Sequence, residues 1–416
     1  HFRKALDAER VLFGFASAEG SLPPSSTRVE ALSSFHPLRD CLLPKTDVRA
    51  VALSSVPMTN GRLLITRPTE EIARVTTDAD FSPLFQLQAA GDELEIAPSC
   101  VVRGYLLESV VYNHATNFAH FIVDVLANIH RLIVAATGED RDPGALLLLD
   151  MERGALPTPS ASPNFFALSM ALASSPLTAV GDLGDHVCFD KLVVGFGAVK
   201  ITSARVDMWR QAQDLSQCGA LARALRPVVL HAFNAPTDPP PPTRIVLLSR
   251  EGSAWRQLLG EAELVRQWNE TQSPPIHRIL GHKLPLSEQL GLVQHGVTMG
   301  MHGASHGLVH FANKGAVVLD LFPYHDGDFF FATLWRITAK RLGACYLPWE
   351  APLDAIVTPE IYAEQRDGGA QGGERGLRIR RDSHIKVELD EFSRLTRHAW
   401  TAWETGVCSP LMSHGD

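Results

Sequence analysis

His302, His306 and His310 crowd into one short stretch, MHGASHGLVHFANKGAVVLDLFP (Met301 to Pro323). Imidazoles so close together can ligate a metal, grip a phosphate or pack in a core. A zinc site would want carboxylate company, yet H-E-x-x-H is absent and no acid falls between Ser305 and Ala312. An anion fits the pattern better. An apolar run ends in His302-Gly303-Ala304, and a helical pattern opens at Ser305. Small residues let a phosphate approach the backbone, free N–H groups at a helix start favour negative charge, and His302 adds a donor. The spacing is neither a dinucleotide G-x-G-x-x-G nor a P-loop with its lysine.

Arg250 closes RIVLLSR, where a buried strand emerges. A guanidinium at that point can hold a phosphate through two parallel hydrogen bonds, although a surface ion pair would use the same residue. A third constellation lies in TNFAHFIVDVLANIHRLI. At about 100° per residue, Phe118, Phe121, Ile122, Val125, Leu126 and Ile129 make one apolar arc. Asn117, His120 and Asp124 share an adjacent stripe at spacings of three and four. An acid beside an imidazole can act as a general base. The same residues also describe an N-cap Asn and a solvated His–Asp pair. Asp326-Gly327-Asp328 imitates a metal-binding D-x-D, but two acids around a glycine also make an ordinary turn.

The elements that must position these residues are short apolar runs at Ala145–Asp150, Lys191–Gly197, Arg244–Arg250, Gly296–Gly300 and Ala316–Phe322. Runs so uniformly apolar predict parallel strands covered on both faces. Helical patterns at Asn117–Ala136 and Leu284–His295 separate them, and Leu389, Phe392, Leu395, Ala399 and Trp403 mark a terminal helix. Four consecutive prolines in NAPTDPPPPTR exclude helix and central strand, so a linker is placed at 236–243. The expected organisation is an α/β domain over 1–235, a second over 244–365, a glycine-rich loop at 366–376 and a strand/helix segment at 377–416. In sheets of this class, ligands gather beyond the carboxyl ends of the strands.

Composition sets outer limits. With 416 residues, 45% hydrophobic and 20% charged, the chain is ordinary for a globular protein and long enough for two cores. A net charge of −8 without a basic block argues against nucleic acid as a partner. No apolar run is long enough to span a membrane, and an upstream membrane anchor would lie outside a chain that begins at His1. The six cysteines are scattered without C-x-x-C spacing.

The order N-x-x-H-x-x-x-D, then CFDKLVVG, then LLSREGSAWR, then HGA followed by NKGAVVLDLFP resembles glycosyltransferase family 61. That family includes plant xylan xylosyl- and arabinosyltransferases and animal O-linked N-acetylglucosaminyltransferases. The resemblance runs from about Tyr112 to Glu391. It implies a GT-B arrangement, in which two Rossmann-like doubly wound domains face each other across a cleft, the C-terminal one holding a nucleotide sugar. It further implies an inverting transfer to a polysaccharide or glycoprotein acceptor from UDP-xylose, UDP-arabinose or UDP-N-acetylglucosamine. Carried over by position, Asp124 or His120 is the catalytic base. Arg250, His302, Gly303, Ala304, Ser305, Glu288 and Asn117 surround the donor, with Gln289 beside Glu288. No cofactor and no strict metal requirement are expected, manganese being an accessory at most. Residence in the Golgi or endoplasmic reticulum lumen is implied, where cysteines pair and the sequon at Asn269 can carry a glycan. One departure stands out: Ser305, His306, Gly307 and Leu308 replace the family's usual Gly, apolar, Thr or Ser, and Asn. It keeps two rivals open, a non-catalytic nucleotide- or glycan-binding protein and a metal-dependent hydrolase built on His302 and His306.

Overall fold

The computed structural model describes residues 28–32, 50–59, 62–66, 85–88, 102–107, 117–158, 163–183, 187–195, 216–235, 243–281, 283–294, 296–323, 339, 342–359 and 382–409. The first sheet contains β1 (Arg28–Leu32), β2 (Ala50–Thr59), β3 (Arg62–Thr66), β4 (Phe85–Gln88), β5 (Val102–Leu107), β6 (Ala145–Leu149), β7 (Thr178–Ala179) and β8 (Cys188–Gly195). Their order is β4-β3-β2-β8-β5-β6-β7, with β1 on β2. Only part of it obeys the parallel expectation. β5, β6, β7 and β8 run parallel, whereas β2 meets both β8 and β3 antiparallel. The sheet is therefore mixed, not doubly wound throughout. Asn60-Gly61, the residues joining β2 to β3, are a pair suited to a hairpin, a signal that a search for apolar runs passes over.

The chain from Asn117 folds as α1, α-helical at Phe118–His120, π-helical at Phe121–Leu126 and α-helical again at Ala127–Thr137. Asn117 is its N-cap, its Oδ1 accepting the Ala119 N–H at 3.1 Å. Gly138 closes the helix in the left-handed conformation at φ 76°. α2 (Pro163–Ser169) and α3 (Ser216–Ala232) follow.

The second half obeys its pattern closely. β9 (Ile245–Ser249), β10 (Leu258–Leu259), α4 (Glu261–Thr271), β11 (Ile276–Leu280), α5 (Leu286–Val293), β12 (Val297–Met301), β13 (Val317–Phe322) and β14 (Cys345–Glu350) follow in that order, a helix preceding each of β11 and β12. Five of these strands form a wholly parallel sheet in the order β11-β9-β12-β13-β14. Counted from β9 and leaving aside β10, that is the doubly wound order 2-1-3-4-5, which reverses between β9 and β12. β15 (Ile356–Val357) and β16 (His384–Lys386) join β10 in a small sheet, and α6 (Leu389–Thr405) closes the fold.

The strands of this sheet are apolar on both sides because both sides are covered. In β9, Val246 and Leu248 enter a core with Ile122, Leu126, Leu225, Val229 and Leu308. Ile245 and Leu247 enter another with Trp268, Met299, Phe392 and Leu395. The first core thus packs α1 and α3 directly on the second sheet. A disulfide joins Cys345 of β14 to Cys408, beyond α6. The segments at 236–242 and 366–376, and Asp326–Asp328, lie outside the described residues.

Candidate active site

β9 and β12 are parallel neighbours whose pairing ends at Leu248 and Gly300, and the residues that follow the two strands are Arg250 and His302. This is the crevice where an open α/β sheet offers room for a ligand. His302 stays in line with the sheet, its N–H on the carbonyl of Leu321 at 2.9 Å. Gly303 then brings the turn against two guanidinium groups. A Cβ at this position would lie 2.5 Å from Nη1 of Arg250 and 3.6 Å from Nη1 of Arg256. Glycine leaves the Arg250 guanidinium its place, while Arg256 stands at ordinary contact distance.

Arg256 was quoted in the motif but not assigned a role by sequence reasoning, and the structure brings it into the site. Its Nη1 donates to the carbonyl of His302 at 3.4 Å, its N–H to the carbonyl of Asp382 at 3.1 Å, and its Nε lies 3.8 Å from the Asp382 carboxylate. It is held at φ 55°, which is rare for a non-glycine residue and is the kind of strain found at ligand clamps. Burial, and then the neighbouring charge of Arg256, push Arg250 down to about 10, with Asp382 opposing. Arg250 Nη2 reaches Ser253 Oγ at 3.3 Å, while its buried Nε has no hydrogen-bond partner among the described residues. The buried Ser305 hydroxyl has none either. Two crowded cations and orphaned donors beside a bare backbone turn make a place for an anion.

Behind the turn lies a buried network. Asp320, midway along β13, accepts from His302 Nδ1 at 2.9 Å and from the Tyr346 hydroxyl at 2.6 Å. His306 Nε2 is 3.4 Å from its other oxygen. Burial alone would raise the Asp320 carboxyl, but His306, His302 and Tyr346 outweigh it and hold it below its ordinary value. His302 also stacks on Phe322, ring centroids 4.3 Å apart. His306 is wholly buried, and its pKa is pushed down to about 4 by that burial. It is a neutral core imidazole at pH 7. His310 is buried likewise.

The low value of His306 has a measurable consequence. Between about 6.5 and about 4 the unfolded chain binds a proton that the folded chain refuses. Stability should therefore fall as pH drops through that window, by about 3 kcal/mol in all. Melting temperatures from pH 7.5 to 5 should show the larger part of this loss, with a flatter slope in His306→Gln.

One expectation needs correction. Ser305–Ala312 is not an α-helix; Ala304–Phe311 is a 3-10 segment. His and Gly are weak helix formers, and Gly307 is fixed by packing instead. A Cβ on Gly307 would lie 3.0 Å from Phe118 and 3.1 Å from the Cα of Ala119. Through that contact the N-terminal end of α1 rests on the segment following the crevice. Asn269 is exposed on α4, where its Nδ2 donates one hydrogen to the Ile276 carbonyl at 3.0 Å and its Oδ1 accepts from the Ile276 N–H at 2.7 Å.

Arg250, His302, Gly303, Ala304 and Ser305 are thus brought together, with Asn117 at the start of the helix packed behind them. Glu288 is exposed in the first turn of α5, past the carboxyl end of β11. Gln289 is buried and bonds the carbonyls of Gly281 and Leu284. The side chains of His120 and Asp124 lie outside the described residues, though both positions are on α1, and Asp124 is inside the π-helical turn. Sequence reasoning missed Asp320, whose signal was an acid inside the run AVVLDLF. It also missed Tyr346, for which there was no signal. No group of three His, Cys, Asp or Glu among the described residues could hold a metal ion, and the hydrolase reading lacks a ligand set there.

The fold is that of an α/β protein with one mixed sheet and one wholly parallel, doubly wound sheet, and the crevice lies at the switch point of the second. Residues 118–319, from α1 into β13, match the model of the glycosyltransferase 61 family. The chain is also similar to the EGF domain-specific O-linked N-acetylglucosamine transferase of Drosophila melanogaster, 28% identical over 211 residues. That match covers 48% of this chain and 37% of the Drosophila protein, little more than a third of its length.

Proposed function

We propose that this chain transfers a sugar from a UDP-sugar to a hydroxyl of a glycoprotein or glycan with inversion, and that UDP-N-acetylglucosamine is the first donor to test. The observation that carries the reading is the pair Arg250 and Arg256 packed on Gly303 at the switch point. The match of residues 118–319 to the glycosyltransferase 61 family and the name of the Drosophila relative support it. Xylose and arabinose are the competing donor sugars.

In a single displacement the acceptor oxygen attacks the anomeric carbon while His120 or Asp124 takes its proton. The bond from that carbon to the diphosphate oxygen breaks, and the electron pair leaves with UDP. Arg250, Arg256 and His302 stand where that charge gathers. Fixed cations can do the work of a divalent ion, so turnover should persist in chelator and manganese should be dispensable. In the GT-B arrangement that goes with this reading, residues 244–365 hold the donor and residues 1–235 the acceptor. The Cys345–Cys408 disulfide favours an oxidising compartment, in keeping with the secretory lumen.

The test is turnover of UDP-N-acetylglucosamine, UDP-xylose and UDP-arabinose with glycoprotein and glycan acceptors in chelator, the product anomer being read by NMR. Inverted product without metal is expected. Activity abolished by chelator would sink the metal-free mechanism. Unimpaired turnover in Asp124→Ala would pass the base role to His120.

A further inference from the structure

We propose that Asp320 is the positioning residue of this crevice: it fixes Nδ1 of His302 and so turns Nε2 of that ring outward to the diphosphate. The proposal rests on the anion-binding reading above. Asp320 is fully buried, level with Gly300 of β12 and Pro348 of β14. A carboxylate at the centre of a parallel sheet is costly, and an apolar residue of similar size would suit the fold at least as well. Its contacts lead to the crevice. One oxygen takes both His302 Nδ1 and the Tyr346 hydroxyl, and the other faces His306.

The register shows which way His302 then points. Asp320 pairs with Gly300, two residues short of His302 along a parallel sheet. The carboxylate therefore holds the imidazole from the inner side. The two ring nitrogens lie on opposite sides of an imidazole, so Nε2 is directed beyond the carboxyl edge, where Arg250 and Arg256 meet. Stacking on Phe322 fixes the plane of the ring. Tyr346, on the next strand, holds the carboxylate in place. Asp320 thus acts through His302 without touching the ligand, as the outer partner of a ligand-binding histidine commonly does.

A double-mutant cycle in UDP affinity, measured by calorimetry, tests this. His302→Ala should weaken UDP binding roughly tenfold, since a hydrogen bond to a charged group is lost. Asp320→Asn should weaken it by about threefold to tenfold, and the pair should be no worse than His302→Ala within about twofold. With the imidazole gone, the carboxylate has nothing left to orient. Uridine, which has no phosphate, should bind all three variants as it binds the native chain. Additive losses, or a parallel loss of uridine binding, would overturn the proposal and leave Asp320 as a residue of the fold alone. No loss in His302→Ala would overturn the diphosphate role of His302 and the proposal with it. If Asp320→Asn does not fold, Tyr346→Phe takes its place in the same cycle and should again show no loss beyond that of His302→Ala.

Discussion

Arg250→Ala should weaken UDP binding by about a hundredfold while leaving the ligand-free protein at least as stable as before. The affinity loss follows from removing two charge-assisted bonds, worth about 3 kcal/mol together. The stability result follows from the crowding of the two guanidinium groups. Burial and the charge of Arg256 both act against the charge on Arg250, and its Nε lacks a bond among the described residues. Such a group destabilises the empty crevice and is relieved when an anion arrives. Removing it gives up function for stability, a common trade-off at binding sites. Thermal melts with and without UDP, alongside calorimetry, give both halves of the result. A large drop in the ligand-free melting temperature would show that Arg250 supports the fold. Arg250→Lys should recover little, because an ammonium cannot offer two parallel donors.

Gly307→Val has the second largest expected effect, and a different signature. The nearest obstacles to a side chain there are Phe118, the backbone of Ala119 and Ile122, at 3.0 to 3.1 Å. The side chains of Phe118 and Ile122 can shift, but the backbone of Ala119 cannot yield without α1 moving. Overpacking of this kind costs about 1–3 kcal/mol, which melting should register. Arg250, Arg256 and Gly303 are untouched, so UDP should bind nearly as before. His120 and Asp124 would be carried away with α1, and kcat should fall by about tenfold or more. If UDP affinity fell as steeply as kcat, the separation of nucleotide-side and base-side residues would be wrong.

How much of this was legible in the chain depends on what each residue faces. β9, β12 and β13 could be read because strands buried on both faces have no polar alternation to confuse them. Arg250 and His302 could be read because each comes directly after such a strand. Their meeting across the crevice required the strand order, in which β9 and β12 are neighbours despite the intervening β11. Asp320 was hidden by its surroundings, since one acid in an apolar run leaves the strand prediction unchanged. His306 and His310 were undecidable because a histidine looks the same in sequence whether it faces solvent or a core. The first sheet was the least legible. Its antiparallel half begins before the region of family resemblance and depends on a hairpin, not on an apolar run.

The π-helical turn at Phe121–Leu126 gives the chain a place where its length can change locally. A π turn holds one residue more than the α turn it replaces. Deleting a single residue there would let the helix relax to plain α geometry while leaving Ala127–Thr137 seated in its core. Because the shorter α turn covers the same rotation, the end carrying Asn117, Phe118 and His120 would stay seated on Gly307. Only residues inside the turn would change their facing. A one-residue difference in length at this point is therefore a local change, one that leaves the flanking helical turns and the nucleotide crevice as they are.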